Sequence, residues 1–325
     1  MDKEGENVRQ LIKAVKGLST KDEKVVGRLL EGLERVVRNW DRVTQAMQIS
    51  MRARGLEHSA SRDLAYEIRQ LGIELANTYG LFGMAQRITR LLSEVFGELF
   101  AVAEQLERDA SALDNLVDEQ RKSQEEKEQW AREIAYEAEL GVVFKDRLRL
   151  STAGIEWKGV QYPLGGITRV GWGATRHSVN GIPTGTTYKI LFGDDKKYSE
   201  VELGQEAIFS AFVERLWRAV GIRLVTQLLQ GLRGGGRYWF GQALVDDSGV
   251  EVPRRRWLKA DERVYGTWDG VHVWPADGSF CIGLKDDKKA YAAIPYQEAN
   301  SAHVLEAAIR AAFKKGADRL SDLLG

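Results

Sequence analysis

Apolar residues recur at helical spacing through the first 140 positions, and alternate in short runs after Gly141. Val26, Leu33, Trp40 and Met47 fall every seventh residue. A second seam runs Leu64, Ile68, Leu71, Leu75, Tyr79. A third runs Ile88, Leu92, Val95, Leu99, Val102, Leu106, then Leu113 and Leu116. These spacings place one apolar stripe on each helix, too apolar to be left in water. Residues 1–140 therefore read as helix throughout, with a break at Arg52–Asp63, where Ser59 and Ser61 are cap candidates, and a break or kink at Gly80 and Gly83. The stripes pack on one another as an antiparallel bundle or coiled coil over 1–117, or on a partner. Residues 118–140 carry few apolar positions and many charges, and read as a charged helical linker.

The runs beyond Gly141, such as "GIEWKGVQY", "ITRVGWGAT" and "TTYKILFGD", are strand-like and separated by Gly, Asp-Asp and Asn-Gly turns. They occur twice. Gly154-Ile155-Glu156 falls on Gly249-Val250-Glu251 and Trp172 on Trp268. Asp194-Asp195-Lys196-Lys197 recurs as Asp286-Asp287-Lys288-Lys289, and a helical stretch closes each copy. Such self-similarity marks a duplicated module. Its copies span 141–232 and 233–325, and the whole chain reads as an α+β multidomain protein. The copies differ by about four extra residues in the loop Ala174–Gly185 of the first and by about four before the helix of the second, as expected where core strands cannot absorb insertions.

Each copy resembles a pleckstrin-homology-like (PH-like) domain of the bacterial type. The resemblance rests on the seven short strands plus one helix, the internal repeat, and the opening "RYWFGQALVDDSGVEV" of copy two. It implies two seven-stranded β-sandwiches, each capped by a C-terminal helix that buries an aromatic residue. Trp217 and Phe313 stand at the matching places. It also implies a protein-binding role, and through analogy an accessory subunit of a bacterial multi-protein complex such as a defence system.

Composition adds limits. The chain has 325 residues, 43% hydrophobic and 29% charged, with net charge zero. Residues 1–140 hold 21 Lys+Arg against 26 Asp+Glu, and residues 141–325 hold 26 against 21. Neither half has the charge density of a dedicated nucleic-acid binder, so nucleic acid is the less favoured partner. One cysteine, Cys281, excludes an intrachain disulfide and fits a reducing compartment. The N-terminus lacks the apolar core of an export signal and no long uncharged apolar stretch occurs, so a cytoplasmic location is expected.

Candidate chemistry is sparse. His58, His177, His272 and His303 are scattered singly, so neither a metal nor another cofactor is expected. The glycines of "GLRGGGRYWFG" follow a helix and precede a strand, the reverse of a phosphate loop, and read as a linker. His177-Ser178 lacks a positioned acid. The two Asp-Asp-Lys-Lys segments read as hairpin tips, whose lysines Lys196, Lys197, Lys288 and Lys289 project as contact candidates. Arg254, Arg256 and Lys259 form the sharpest basic cluster, with Arg255 facing the other way if the segment is extended. These seven residues are the candidate contacts for an anionic ligand or partner. The expected function is a non-enzymatic adaptor that binds protein partners through the repeats and self-associates or captures a partner through the helices. The alternative is a peripheral membrane protein that binds anionic lipid through the second repeat, in the manner of BAR-plus-PH proteins. Against it, the helical region carries excess acid where a membrane-facing surface is basic.

Overall fold

The computed structural model describes residues 2–18, 22–141, 145–180, 182–255, 262–298 and 301–325. They form two compact units, Met1–Lys127 and Glu128–Gly325, each with a hydrophobic core of its own.

The first unit is helical: α1 (Asp2–Lys16), α2 (Glu23–Arg52), α3 (Ser59–Asn77), α4 (Phe82–Phe96) and most of α5 (Phe100–Ile134). Asp22 starts α2 by accepting from the Lys24 and Val25 amides at 2.9 and 3.2 Å, which satisfies donors that the first turn leaves unpaired. The three seams meet in one core, from Val26, Leu33 and Trp40 through Leu64, Ile68 and Leu71 to Leu92, Val102 and Leu106. Each seam runs out at its end, where Met47, Tyr79 and Leu116 are exposed. Bidentate pairs from Arg87 to Glu34 and from Arg69 to Asp109 tie α4 to α2 and α3 to α5. The Ser caps expected for α3 are not used. His58 takes the N-cap position without a side-chain cap bond. Ser61 is buried, where Trp40, Gln48 and His58 all meet its hydroxyl.

Helix α5 ends at Ile134, and residues 136–140, expected to be helical, form the first strand instead. Tyr136, Ala138 and Leu140 alternate there with the more exposed Glu137 and Glu139, the two-residue period of a strand. Strands β1 (Tyr136–Leu140), β2 (Asp146–Ser151), β3 (Gly154–Trp157) and β4 (Val160–Tyr162) make a four-stranded meander. After a 3-10 turn, β5 (Arg169–Val179), β6 (Ile182–Gly193) and β7 (Tyr198–Leu203) make a three-stranded one, and α6 (Glu206–Arg233) follows.

The order then repeats: β8 (Tyr238–Phe240), β9 (Ala243–Val245), β10 (Gly249–Arg254), β11 (Glu262–Thr267), a 3-10 turn, β12 (Val271–Ala276), β13 (Ser279–Leu284), β14 (Asp287–Pro295) and α7 (Ala302–Lys315). Here the strands join into one seven-stranded sheet, because Arg254 of β10 pairs with Ala290 of β14. The duplication is thus visible as an α+β layout of four strands, three strands and a helix, used twice.

The shared residues have physical reasons. Gly154 opens β3 and Gly249 opens β10, and a Cβ on either would sit 2.2 Å from a carbonyl oxygen of the adjacent strand, Tyr162 or Gly266. Only glycine fits there. The pairing of Trp172 with Trp268 does not survive. Trp268 opens the turn before β12 and is buried, whereas the matching turn in the first repeat opens at Leu164, and Trp172 lies within β5. The helix aromatics also differ. Phe212 and half-buried Trp217 pack in the first repeat, while Phe313 of α7 is 37% exposed and Leu305 and Ile309 fill the core.

The Ala174–Gly185 segment, expected as a loop, is the paired outer end of a long hairpin, with Arg176 against Thr186 and Val179 against Ile182. Asn180 at the turn takes a positive φ of 51°. Asparagine tolerates that conformation, so the extra residues extend the ladder instead of looping out.

The two repeats share one continuous core, with α6 running through it. Near its start Phe212 meets Tyr136 and Phe192 at ring distances of 5.9 and 6.3 Å. At its end Arg233 donates to the Ser321 carbonyl at 2.8 Å, beyond α7. Phe212→Ala is expected to cost about 3–5 kcal/mol, by lost transfer energy plus the cavity left behind. Amide hydrogen exchange should then rise in β12–β14 as well as in β1–β7. A rise confined to the first repeat contradicts the shared core.

Candidate functional site

Of the described basic residues singled out in the sequence, Arg254 lies beside Lys288 and Lys289, while Lys196 and Lys197 lie in the first repeat. Arg254 pairs with Ala290, and the Arg255 amide donates to the Lys289 carbonyl at 3.0 Å. Arg254 directs its Nε at the Asp287 carboxylate, 2.7 Å away, with Glu262 at 4.0 Å. Arg255, on the next position, lies 4.8 Å over the Tyr291 ring. Arg256 and Lys259 fall outside the described residues. Lys196 and Lys197 are exposed at the β6–β7 turn, and Lys197 reaches over Tyr162 at 5.3 Å. Asp194 holds that turn by accepting both lysine amides, at 2.7 and 2.6 Å, which lowers its pKa below the usual carboxylate range. In the second repeat this role moves one residue on. Asp287 accepts from the Lys289 amide at 3.0 Å, Asp287 to Lys289 already belong to β14, and both lysines are exposed.

His177 is exposed and bonds Thr187 Oγ1 at 2.9 Å. His272 stacks on Trp274 at 4.5 Å, and its Nδ1 is buried without a partner among the described residues. No group of three or more His, Cys, Asp or Glu among the described residues is placed to hold a metal ion. No described helix is long and apolar enough to cross a membrane.

A different place draws polar and aromatic groups together: the junction of the two repeats. Strand β5 of the first repeat packs on the chain entering α7 of the second. His303 is clamped there between two rings, Trp172 at 3.8 Å and nearly parallel, and Tyr296 at 4.6 Å. Its Nε2–H donates to the Trp172 carbonyl at 3.0 Å. Close approach is possible because residue 171 is glycine. A Cβ there would stand 2.3 Å from the Glu298 carbonyl oxygen. Val170 N–H donates to Ser301 Oγ at 3.3 Å, and the Gln297 amide donates to Thr175 Oγ1 at 3.1 Å.

Beside this junction opens a cleft of about 520 Å³, within the usual range for ligand sites. One wall is the start of β5, Thr168 and Arg169. The floor includes Leu224 and Leu228 of α6 and Val304 of α7, and the far side is Arg237-Tyr238-Trp239-Phe240. Tyr238 is 40% and Trp239 59% exposed. The cations around them have carboxylate partners. Arg169 bonds Asp195, and Arg237 and Arg263 converge on Glu251, whose pKa they lower. Arg263 also lies 4.6 Å over the Trp239 ring, holding it in place. The arrangement offers a fixed aromatic surface, an aliphatic floor and a charge-balanced rim, which are features of a binding surface.

Sequence reasoning passed over this site because it read "RYWF" as the first hairpin of a sandwich. A signal was present. Successive strand residues point to opposite faces, so three adjacent aromatics cannot all enter one core. No protein-family model, curated protein or solved structure matches this chain.

Burial pushes the His303 pKa down from 6.5 to about 4, so it is neutral in the folded protein. The unfolded chain binds a proton at this residue before the folded one does, and stability therefore falls as pH drops from 6.5 toward 4. Between pH 8 and 5 the loss from His303 is about 2 kcal/mol. Urea unfolding of the wild type and of His303→Gln at both pH values checks this. The variant is expected to lose about 2 kcal/mol less, and equal losses contradict the clamped neutral imidazole.

Proposed function

We propose that the chain is a non-enzymatic adaptor that binds protein partners through tandem PH-like repeats and an N-terminal helical region. The observation that carries this reading is the cleft at the repeat junction, lined by the exposed Tyr238 and Trp239 together with Leu224 and Leu228. Tyrosine, tryptophan and arginine are the residues from which interfaces draw most of their energy. Here Arg263 fixes one of those rings before any partner arrives. The PH-like reading is supported by the four-plus-three strand layout with a closing helix in both repeats. Membership of a multi-protein complex is the setting this reading implies.

Affinity purification of the tagged full-length chain from its own host, followed by cross-linking, tests the proposal. A protein partner is expected to co-purify in near-stoichiometric amount and to cross-link to the second repeat. Trp239→Ala, a change at an exposed side chain, should weaken that association by about 1–2 kcal/mol or more. If no protein co-purifies and the chain instead sediments with anionic vesicles, the lipid-binding alternative replaces this reading.

A further inference from the structure

Strand β8 lies at one end of the sheet order β12-β13-β14-β10-β9-β8 and has no strand on its outer side among the described residues. Its pairing with β9 joins Phe240 to Ala243 and Trp239 to Leu244 across the two-residue loop Gly241-Gln242. In a hairpin with a two-residue loop the pair flanking the loop exchanges hydrogen bonds. The next pair does not, and its peptide groups point outward. The N–H and C=O of Trp239 therefore face the open edge. All of Arg237, Tyr238, Trp239 and Phe240 line the cleft. Alternate side chains of a strand face opposite ways, so the three consecutive β8 residues Tyr238, Trp239 and Phe240 line one cleft because it runs along the strand's edge.

The geometry points to β8 as a docking edge for an extended peptide of a partner protein. The peptide adds as a further strand and sets an aliphatic side chain on the Leu224–Leu228–Val304 floor. This deepens the adaptor reading and rests on it. Main-chain pairing supplies affinity in this mode, and the pocket beneath alternate residues supplies selectivity. The rim arginines already have carboxylate partners in Asp195 and Glu251, so recognition runs through main chain and apolar contact, not through charge. A cleft of about 520 Å³ between β8 and α6 holds a single extended chain.

The full-length chain, immobilised, is panned against a phage-displayed library of random dodecapeptides, and an enriched peptide is synthesised and titrated. Trp239→Pro removes the outward N–H without touching the β8–β9 ladder, because proline is tolerated where the N–H faces away from the sheet. It is expected to weaken binding about tenfold or more, and clearly more than Trp239→Ala, which keeps the N–H. Gln227→Trp, at an exposed α6 position on the cleft, fills the space and should weaken binding as much. Failure to enrich any peptide overturns the proposal. So does equal loss in Trp239→Pro and Trp239→Ala, or full binding by Gln227→Trp. That last variant decides the matter if the proline variant does not fold. A protein partner that co-purifies and is weakened equally by Trp239→Ala and Trp239→Pro sinks the edge pairing and leaves the adaptor reading standing.

Discussion

The second unit depends on the burial of α6. A helix on the surface of a domain needs one apolar stripe, but α6 carries buried residues from Phe212 through Leu216 and Val220 to Leu224, Leu228, Leu229 and Leu232. Phe212 sits among the rings of the first repeat, and Arg233 is fastened to the segment after α7 of the second. The closing helix of one repeat is therefore also a packing surface for the next. With α6 fixed, the junction has little freedom. Gly171 permits contact with the Glu298 main chain, His303 fills the space between Trp172 and Tyr296, and the cleft opens where these contacts end. The lining of a cleft assembled this way is preorganised, so a ligand settling in it would cost little conformational entropy.

Much of the fold was legible in the sequence because its signals are periodic and local. The three helical seams are buried along most of their length, failing only at Met47, Tyr79 and Leu116, and the strand runs begin and end near their turns. Gly154 and Gly249 carry the internal repeat for a steric reason that a sequence comparison detects without knowing it. What was not legible depends on neighbours remote in sequence. Tyr136–Leu140 has a weak alternation that a preceding charged helix masked. The Trp172–Trp268 correspondence was a coincidence of residue type, and one of those residues proved to be a clamp for His303.

The candidate site was less legible than the fold. A run of arginines attracts notice in a sequence, yet the partner that engages Arg254, Asp287, lies more than thirty positions away. The cleft draws on residues from Thr168 to Val304, and no spacing rule connects them. Only the aromatic triplet at Tyr238–Phe240 gave a local hint, through the conflict between three large rings and the two-faced geometry of a strand. Asymmetry between the copies remained the useful lead, although it pointed to a hairpin and to arginines, while the asymmetry that shapes the cleft is the exposed start of the second repeat.

The sharing of α6 has a consequence for how the protein is made. Synthesis runs from the N-terminus, so the first repeat emerges with its helix before the elements that cover the far end of that helix exist. Until α7 and the Leu320–Leu324 turn leave the ribosome, Leu228, Leu229 and Leu232 have lost water-free neighbours on which their burial depends. The two copies repeat one layout, yet the first does not bury the whole of its helix alone. A nascent first repeat would therefore expose apolar helix surface until the second arrives, and a chain cut short between them would be left prone to aggregation.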